Sequence, residues 1–474
     1  MRGGGATLFA NVAAQAIRLA ANLLLARLLI PTVFGLFAMI ISTIGVAGVL
    51  RDMGLATATI QSPSLTERQL STLFWINVSL GLLATLLIIG ISPWIARGLG
   101  IPESTSLVIT LAPTFLLSGL ATQHRALLSR RLAFLVQARM TFWSVFVSQC
   151  ITLILAAYGA GVWALICGAL ATELIVMIWC WYSEPWRPSY SFNLAEARPL
   201  LVFGGYLTIF SILGFLAGNL HQLLIGIVKG AEAAGYFNRA YILLLAPISL
   251  VLMPVGSVIT ATLSSVQSDT SAFSHYYLKS IGTVNLLTAP LGCYSLLFAP
   301  EIVRLLLGPS WTESGVLLRL MAASLIAQPL MFSSGWIYQS LGKARQMFWW
   351  GNFGWSVILI MYVPGLIWGA RGVAAAHSLA SLILVWPCLH FAFRDTAITT
   401  SSVLRTCGPA AIAAIFAALP VLMLREMLPA LSVLNVLFVG SLVYSASYVG
   451  LLFAVGERPR IMNLWRHIRA WIYT

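Results

Sequence analysis

The sequence predicts an all-α integral membrane protein with about fourteen transmembrane helices. Apolar residues make up 59% of the 474-residue chain and charged residues only 8%, whereas a soluble domain carries about 25% charged residues. Apolar runs of about 18 residues or more, long enough to cross a bilayer, recur along the whole chain. Lysine and arginine are concentrated in every second connection between these runs, which is typical of a chain that crosses the membrane repeatedly.

The apolar runs define the expected spans in chain order. They lie at residues 6–29, 35–60, 70–95, 105–123, 137–158, 160–182, 199–228, 235–262, 276–300, 314–340, 346–368, 371–393, 405–425 and 431–456. Because their number is even, both ends of the chain are expected on the same side of the membrane. Placing both termini in the cytoplasm assigns most of the 27 lysines and arginines to that side, as the positive-inside rule requires. The net charge of +14 is therefore attributed to cytoplasmic loops rather than to a nucleic-acid partner.

Two short motifs recur at similar spacing and indicate an internal repeat. Gly-Leu-Phe at 35–37 is matched by Gly-Tyr-Phe at 235–237, and Gly-Val-Trp-Ala at 161–164 is matched by Gly-Val-Ala-Ala at 372–375. Six spans per half is an even number, so the two halves are expected in the same orientation, a parallel pseudo-repeat found in some transporters. The expected organisation is an N-terminal six-helix lobe at 1–183, a C-terminal six-helix lobe at 199–394, two additional helices at 400–456 and a basic cytoplasmic tail at 457–474.

The first span carries a stripe of polar side chains. The stripe consists of Asn11, Gln15, Arg18 and Asn22. Spacings of four, three and four residues place all four on one helix face, and an arginine inside the membrane must face water or a partner. The stripe favours a cavity wall that offers a cation to an anionic substrate. The alternative is an interhelical hydrogen-bonded seam.

Four further ionisable residues within the expected spans are candidates for the functional site. Arg51 and Asp52 are adjacent in the second span, and Asp52 is expected to pair with an arginine or to contribute to ion coupling. Glu173 in the sixth span is a candidate proton site, because burial favours the protonated carboxyl. His221 in the seventh span is a candidate titrating group. The alternatives are a structural ion pair for the carboxylates and a hydrogen-bonded core residue for the histidine.

The sequence offers no expected metal or cofactor site. The six cysteines all lie within or beside apolar segments, and no CxxC pair occurs among them. A phosphate-binding GxxxxGK[ST] loop is also missing from the sequence. Any transport is therefore expected to use an ion gradient, the membrane potential or the substrate gradient.

Short segments in a common order resemble a known family. They lie at 28–35, 52–55, 60–61, 130–134, 161–165, 235–240 and 299–303. The sequence resembles bacterial polysaccharide repeat-unit flippases, the lipopolysaccharide and exopolysaccharide exporters of the multidrug/oligosaccharidyl-lipid/polysaccharide superfamily. The resemblance covers about the first 375 residues of the chain.

The resemblance implies a transport function and a cargo. It implies twelve core helices in two lobes plus two additional helices, around a cationic cavity. From the polar stripe and the internal repeat we expect alternating access of the two lobes around a substrate-binding cavity lined by Asn11, Gln15, Arg18, Asn22 and Arg51. The resemblance also implies export of undecaprenyl-diphosphate-linked oligosaccharide across the bacterial inner membrane, alongside a polysaccharide polymerase and a chain-length regulator. Similar proteins carry arginines on the first two helices, where Arg18 and Arg51 stand here. They often carry an acid in the seventh helix, where this chain has His221.

Three alternative functions are left open. A multidrug cation antiporter of the same superfamily requires acidic cavity residues. A peptidoglycan-precursor flippase has the same fold and similar arginines. A membrane polysaccharide polymerase or lipid-sugar glycosyltransferase would be an enzyme, and such proteins usually carry a large outer loop with catalytic residues, whereas the longest loops expected here have about 15 residues.

Overall fold

The computed structural model describes residues 2–52, 54–62, 65–190, 192–427 and 432–457. Every regular element in these ranges is helical. The first helices are α1 (Arg2–Leu28), α2 (Pro31–Asp52), α3 (Leu55–Gln61), α4 (Glu67–Gly98), α5 (Thr105–Leu111), α6 (Pro113–Arg130), α7 (Phe134–Ala157), α8 (Val162–Ser183) and α9 (Leu194–Lys229). The others are α10 (Ala231–Ser265), α11 (Thr270–Leu306), α12 (Thr312–Met321), α13 (Ser324–Ser340), α14 (Ala344–Gly365), α15 (Gly369–Phe393), α16 (Thr400–Phe416), α17 (Ala418–Met427) and α18 (Val433–Ala454).

The helices group into two compact units, Met1–Gly235 and Tyr236–Thr474. In the first unit α1 packs on α7, α7 on α8, α6 on α4 and α8, and α2 on α9. In the second unit α11 packs on α12 and α16, α14 on α15, and α15 on α13. The lobe boundaries predicted from the sequence, 1–183 and 199–394, stay a prediction, and residues 458–474 of the predicted tail lie outside the described residues.

Within the described residues, ten helical stretches are long and apolar enough to cross a membrane. The number is eleven if Pro309–Met321 and Ser324–Ser340, which are bent by 55° at a short break, form one span. The prediction of an all-helical, multi-pass membrane protein is therefore confirmed, whereas the count of fourteen is not.

Two arginines of the 130–134 motif, at the carboxyl end of α6, contact the carboxyl ends of α3 and α8. Arg130 Nη1 donates to the carbonyl oxygens of Thr59, at 2.9 Å, and Ser62, which are at the carboxyl end of α3. Arg131 forms an ion pair with Glu184, just beyond α8, at 3.0 Å. Carbonyl groups at a helix end lack partners within the helix, so Arg130 both satisfies them and fixes α3 against α6.

The amino-terminal turns of α2 and α10 cross at two glycines of the sequence repeat. A Cβ at Gly35 would overlap the carbonyl group of Ala231, and a Cβ at Gly235 would overlap the carbonyl group of Pro31. The two contacts are reciprocal, because each glycine faces the residue four positions before the other. Small residues let helix backbones approach closely in membranes, so both positions require glycine.

A carboxyl-terminal helix, α18, supplies a hydrogen bond that a proline in α11 removes. Pro290 has no N–H group, which leaves the carbonyl of Leu286 without its usual partner inside the helix. Tyr448 of α18 donates its hydroxyl hydrogen to this carbonyl oxygen at 2.9 Å. A residue of α18 thereby replaces the hydrogen bond that the proline removes.

Tyr448→Phe is expected to lower the free energy of unfolding by about 1 kcal/mol, because the buried Leu286 carbonyl loses its donor. Tyr294→Phe is a matched control in the same helix pair, since Tyr294 contacts Ser441 at 2.7 Å and Ser441 keeps a bond to Leu437. Denaturant titration of the purified proteins in detergent measures both losses. A loss for Tyr448→Phe no greater than that for Tyr294→Phe would contradict the role of Tyr448.

Candidate functional site

Two cavities lie inside the first unit. The α7 cavity has a volume of about 480 Å³ and is bounded by α1, α2, α5, α6, α7 and α8. The α3 cavity has a volume of about 300 Å³ and is bounded by α2, α3, α6 and α8. Both are partly polar although they lie among membrane-spanning helices, which is the usual sign of a substrate or ion pathway.

The α7 cavity contains Arg18 of α1 and Gln149 of α7. The Gln149 Oε1 atom is buried and has no hydrogen-bond partner among the described residues. The hydroxyl groups of Ser148 and Thr172 instead donate to carbonyl oxygens of their own helices, at 3.1 and 2.9 Å respectively. The groups that can serve a ligand in this cavity are therefore the Arg18 guanidinium and the Gln149 amide.

The α3 cavity contains Arg51 of α2 and Arg125 of α6. The Arg51 Nη1 atom lies 3.5 Å from the carbonyl oxygen of Phe115, a weak hydrogen bond that positions the guanidinium beside α6. The Arg125 side chain is exposed. Two guanidinium groups thus lie on one small cavity, where each offers a fork of N–H donors.

Glu173 of α8 lines both cavities. Its side chain is half-buried, and Arg51 and Arg125 are close enough to act on it electrostatically. Among the described side chains, the two cavities together hold three arginines, Arg18, Arg51 and Arg125, and one carboxylate. The excess positive charge suits an anion with more than one negative charge, because guanidinium binds phosphate or carboxylate oxygens in pairs.

The structure brings together three of the residues predicted from the sequence: Arg18, Arg51 and Glu173. Gln15 and Asn22 are half-buried and line neither cavity, and the Asn22 amide donates to the Arg18 carbonyl at 2.8 Å. The polar stripe of α1 therefore contributes its arginine to the cavity, while its carboxyl-terminal amide bonds within the helix.

Of the three other predicted residues, one is placed outside the two cavities and two have side chains that the structure does not describe. The side chains of Asn11 and Asp52 lie outside the described residues. His221 is fully buried in α9 and lines neither cavity. Among the described residues no group of three or more histidine, cysteine, aspartate or glutamate side chains is placed to hold a metal ion.

Arg125 was not among the predicted site residues, although the sequence contains a signal for it. Ser118, Thr122, Arg125 and Ser129 all line the α3 cavity. Their spacings of four, three and four residues are the same as those of the stripe in α1. An arginine with three small polar residues on one face of α6 is thus a second polar stripe, which we call the α6 stripe.

Comparisons with known proteins agree on the family. A family model described as "Polysaccharide biosynthesis protein" matches residues 24–316. The teichuronic acid biosynthesis protein TuaB of Bacillus subtilis strain 168 is 26% identical over 72% of this chain and 69% of its own length. The lipopolysaccharide biosynthesis protein WzxC of Escherichia coli strain K12 is 25% identical over 76% of this chain and 73% of its own length.

Comparisons with solved structures define the fold. A structure of the lipid II flippase MurJ in an inward closed conformation superposes with a TM-score of 0.76, at 15% identity, and covers 95% of this chain and 99% of that protein. An inward-facing multidrug resistance transporter of the MATE family superposes with a TM-score of 0.63, at 14% identity, over 81% and 96% of the two chains. The chain therefore has the fold shared by these two kinds of transporter.

Proposed function

Because the chain belongs to the polysaccharide biosynthesis protein family, we propose that it is a flippase for undecaprenyl-diphosphate-linked oligosaccharide repeat units. It moves them across the bacterial inner membrane for exopolysaccharide or lipopolysaccharide biosynthesis. The observation that carries the proposal is the grouping of Arg18, Arg51 and Arg125 on two cavities inside one unit. Diphosphate is the charged part of this cargo, and guanidinium groups bind phosphate oxygens bidentately.

The energetics fit an anionic headgroup. The lipid tail of the cargo stays in the bilayer, so only the diphosphate and sugars require a polar route. An inside-negative potential favours outward movement of an anion by about 2.3 kcal/mol per charge per 100 mV, or roughly 4–5 kcal/mol for a diphosphate. Transport by alternating access, with Asp52, Glu173 and His221 as candidates for ion coupling, is part of the proposal.

The proposed architecture has fourteen spans with both termini in the cytoplasm. The stretch Ala344–Phe393 has 50 residues, about 75 Å as one helix, which exceeds twice the thickness of the hydrocarbon core. Its halves α14 and α15 pack against each other, as two crossings would. Helices α1, with 27 residues, and α10, with 35, are also long enough to cross. The reciprocal contact of Gly35 and Gly235 supports two parallel pseudo-repeats.

The cavity charges weigh against a multidrug cation antiporter. In the part of the cavities that the structure describes, an exported cation would meet three arginines and one carboxylate. A membrane polymerase is disfavoured because the longest described connection between helices runs only from 184 to 193, too short for a large outer loop. A peptidoglycan-precursor flippase remains the second candidate, because the MurJ structure shares the fold over nearly all of the chain.

Deletion of the gene in its host tests the proposal. We expect a diphosphate-linked repeat unit to accumulate on the cytoplasmic face of inner-membrane vesicles, with loss of surface polymer. Mass spectrometry of the lipid-linked sugars identifies the cargo, and it also reveals whether a peptidoglycan precursor accumulates instead. Restoration by the intact gene is the control. Normal polymer without an accumulated intermediate would contradict the proposal.

Partners such as a polymerase and a chain-length regulator are proposed to act on the exported unit.

A further inference from the structure

Glu173 stands where the two cavities meet. Its neighbour Thr172 lines only the α7 cavity, and Val176, one turn further along α8, lines only the α3 cavity. Glu173 is shared by both linings. Glu173 therefore shares one cavity with Arg18 and the other with Arg51 and Arg125.

Arginine holds the half-buried Glu173 carboxylate less closely than it holds Glu184, a fully buried acid of the same unit. Glu184 forms an ion pair with Arg131 at 3.0 Å, its side chain is only 1% exposed, and it also accepts a hydrogen bond from the Trp186 backbone at 3.3 Å. Glu173, in contrast, forms no ion pair within 4.0 Å among the described residues. Arg51 and Arg125 act on it electrostatically, and its one close side-chain partner there is the Ser118 hydroxyl, which hydrogen-bonds to it. It neutralises the arginines without being fixed to either of them.

A loosely held carboxylate between cations can be exchanged for another anion. A lone charged group inside a membrane span is costly, so Glu173 and the arginines stabilise one another while no ligand is present. A diphosphate offers more charge and more acceptor oxygens than one carboxylate and competes for the same N–H donors.

We propose that Glu173 is a displaceable counter-ion: an incoming diphosphate takes its place at Arg51 and Arg125, and Arg125 is a phosphate ligand in addition to the arginines of the first two spans. This inference rests on the proposed function and names the residues that admit and release the headgroup. Arg18 offers the displaced carboxylate a second cation in the α7 cavity. Return of Glu173 to the α3 cavity then favours release of the anion.

Binding of inorganic pyrophosphate to the purified full-length protein in nanodiscs tests the inference. Glu173→Gln is expected to bind pyrophosphate about tenfold more tightly, because the competing carboxylate is gone. Arg125→Gln is expected to bind it about tenfold more weakly. In the double variant the increase in pyrophosphate affinity caused by Glu173→Gln should be smaller than in the single variant, since the carboxylate and Arg125 act on each other. Isothermal titration calorimetry measures the four dissociation constants.

Two controls keep the outcome specific. Glu184→Gln removes a buried carboxylate of the same unit that lines neither cavity, and it should leave the dissociation constant unchanged. Glu173→Asp keeps the negative charge, so its dissociation constant for pyrophosphate should stay within about twofold of that of the unmodified protein. This variant distinguishes an effect of the lost charge from an effect of misfolding. Affinity for Glu173→Gln that is equal to or weaker than that of the unmodified protein would overturn the inference.

The binding result and the deletion result are independent. Tighter pyrophosphate binding by Glu173→Gln, together with normal surface polymer in the deletion strain, would support the counter-ion and refute the flippase. An accumulated lipid-linked repeat unit, together with unchanged binding by Glu173→Gln, would support the flippase and refute the counter-ion.

Discussion

Arg51→Gln is expected to reduce export of the repeat unit at least about tenfold while the protein remains in the membrane. The substitution removes a charged donor from the α3 cavity, and a hydrogen bond to a charged group is worth about 1.5–3 kcal/mol, or roughly ten- to a hundredfold in binding. Arg18→Ala is expected to have the larger effect and to abolish export, since Arg18 supplies the guanidinium of the α7 cavity. Export is measured by surface polymer and by lipid-linked sugars in strains that carry each variant.

Arg371→Gln provides the matched control for the loss of one positive charge. Its guanidinium pairs with Glu313 at 2.7 Å, is largely exposed, and lines neither cavity. An exposed ion pair contributes little to stability, so this variant should export normally. Export at the unmodified rate by well-inserted Arg51→Gln protein would contradict a role for the guanidinium in moving the headgroup.

The sequence indicated the cavity arginines because charge is rare in this chain. An ionisable group inside a span is costly, and so Arg18, Arg51 and Glu173 could be singled out without knowing which helices are neighbours. Arg18 and Arg51 were expected to line one cavity, but the position of Glu173 beside both could not be predicted, because it depends on how α1, α2, α6, α7 and α8 pack. Helical periodicity assigns a residue to a face of its own helix but does not assign that face to a partner.

Arg125 was missed for a physical reason. The apolar run of the fourth span was expected to end at residue 123, which placed Arg125 in a cytoplasmic loop. Helix α6 instead continues to Arg130, so Arg125 remains in register with Ser118 and Thr122 on one face. A span predicted from hydropathy ends where charge begins, whereas the helix ends where its hydrogen bonding ends.

The polar stripe of α1 shows that a shared helix face does not by itself place every residue of that face in a cavity. Spacing alone places Gln15 and Asn22 beside Arg18 on one face, but it does not reveal where an amide finds its partner. The Asn22 amide bonds to the carbonyl four residues earlier in its own helix. Short polar side chains commonly satisfy themselves on the local backbone, which explains why Asn22 contributes no donor to the α7 cavity that holds Arg18.

The sequence repeat, in contrast, identified residues whose importance lies in packing. Gly-Leu-Phe at 35–37 and Gly-Tyr-Phe at 235–237 served as evidence of two similar halves. In the structure the glycines of these motifs contact each other's helix start directly. The repeated three-residue motif therefore lies where the backbones at the starts of α2 and α10 are too close to leave room for a side chain.

Gly35→Ala is expected to destabilise the protein by about 3 kcal/mol or more, the upper end of the cost of overpacking a well-packed interior. The added Cβ would overlap the Ala231 carbonyl group, and this neighbour is backbone within a helix, which cannot rotate away as a flexible side chain would. Gly235→Ala should have a similar effect, because its Cβ would overlap the Pro31 carbonyl group. Denaturant unfolding in detergent and the amount of protein in the membrane measure the losses.

Gly90→Ala separates this steric cost from any general effect of alanine. Gly90 is exposed within α4, and no described atom lies within 4 Å of the position of its Cβ. Alanine is a better helix former than glycine by about 1 kcal/mol, so this variant should be neutral or slightly more stable. If Gly35→Ala matched Gly90→Ala in stability, the helix starts of α2 and α10 could not be in backbone contact. A loss confined to Gly35→Ala and Gly235→Ala would instead establish that the repeated glycine is retained for the crossing itself.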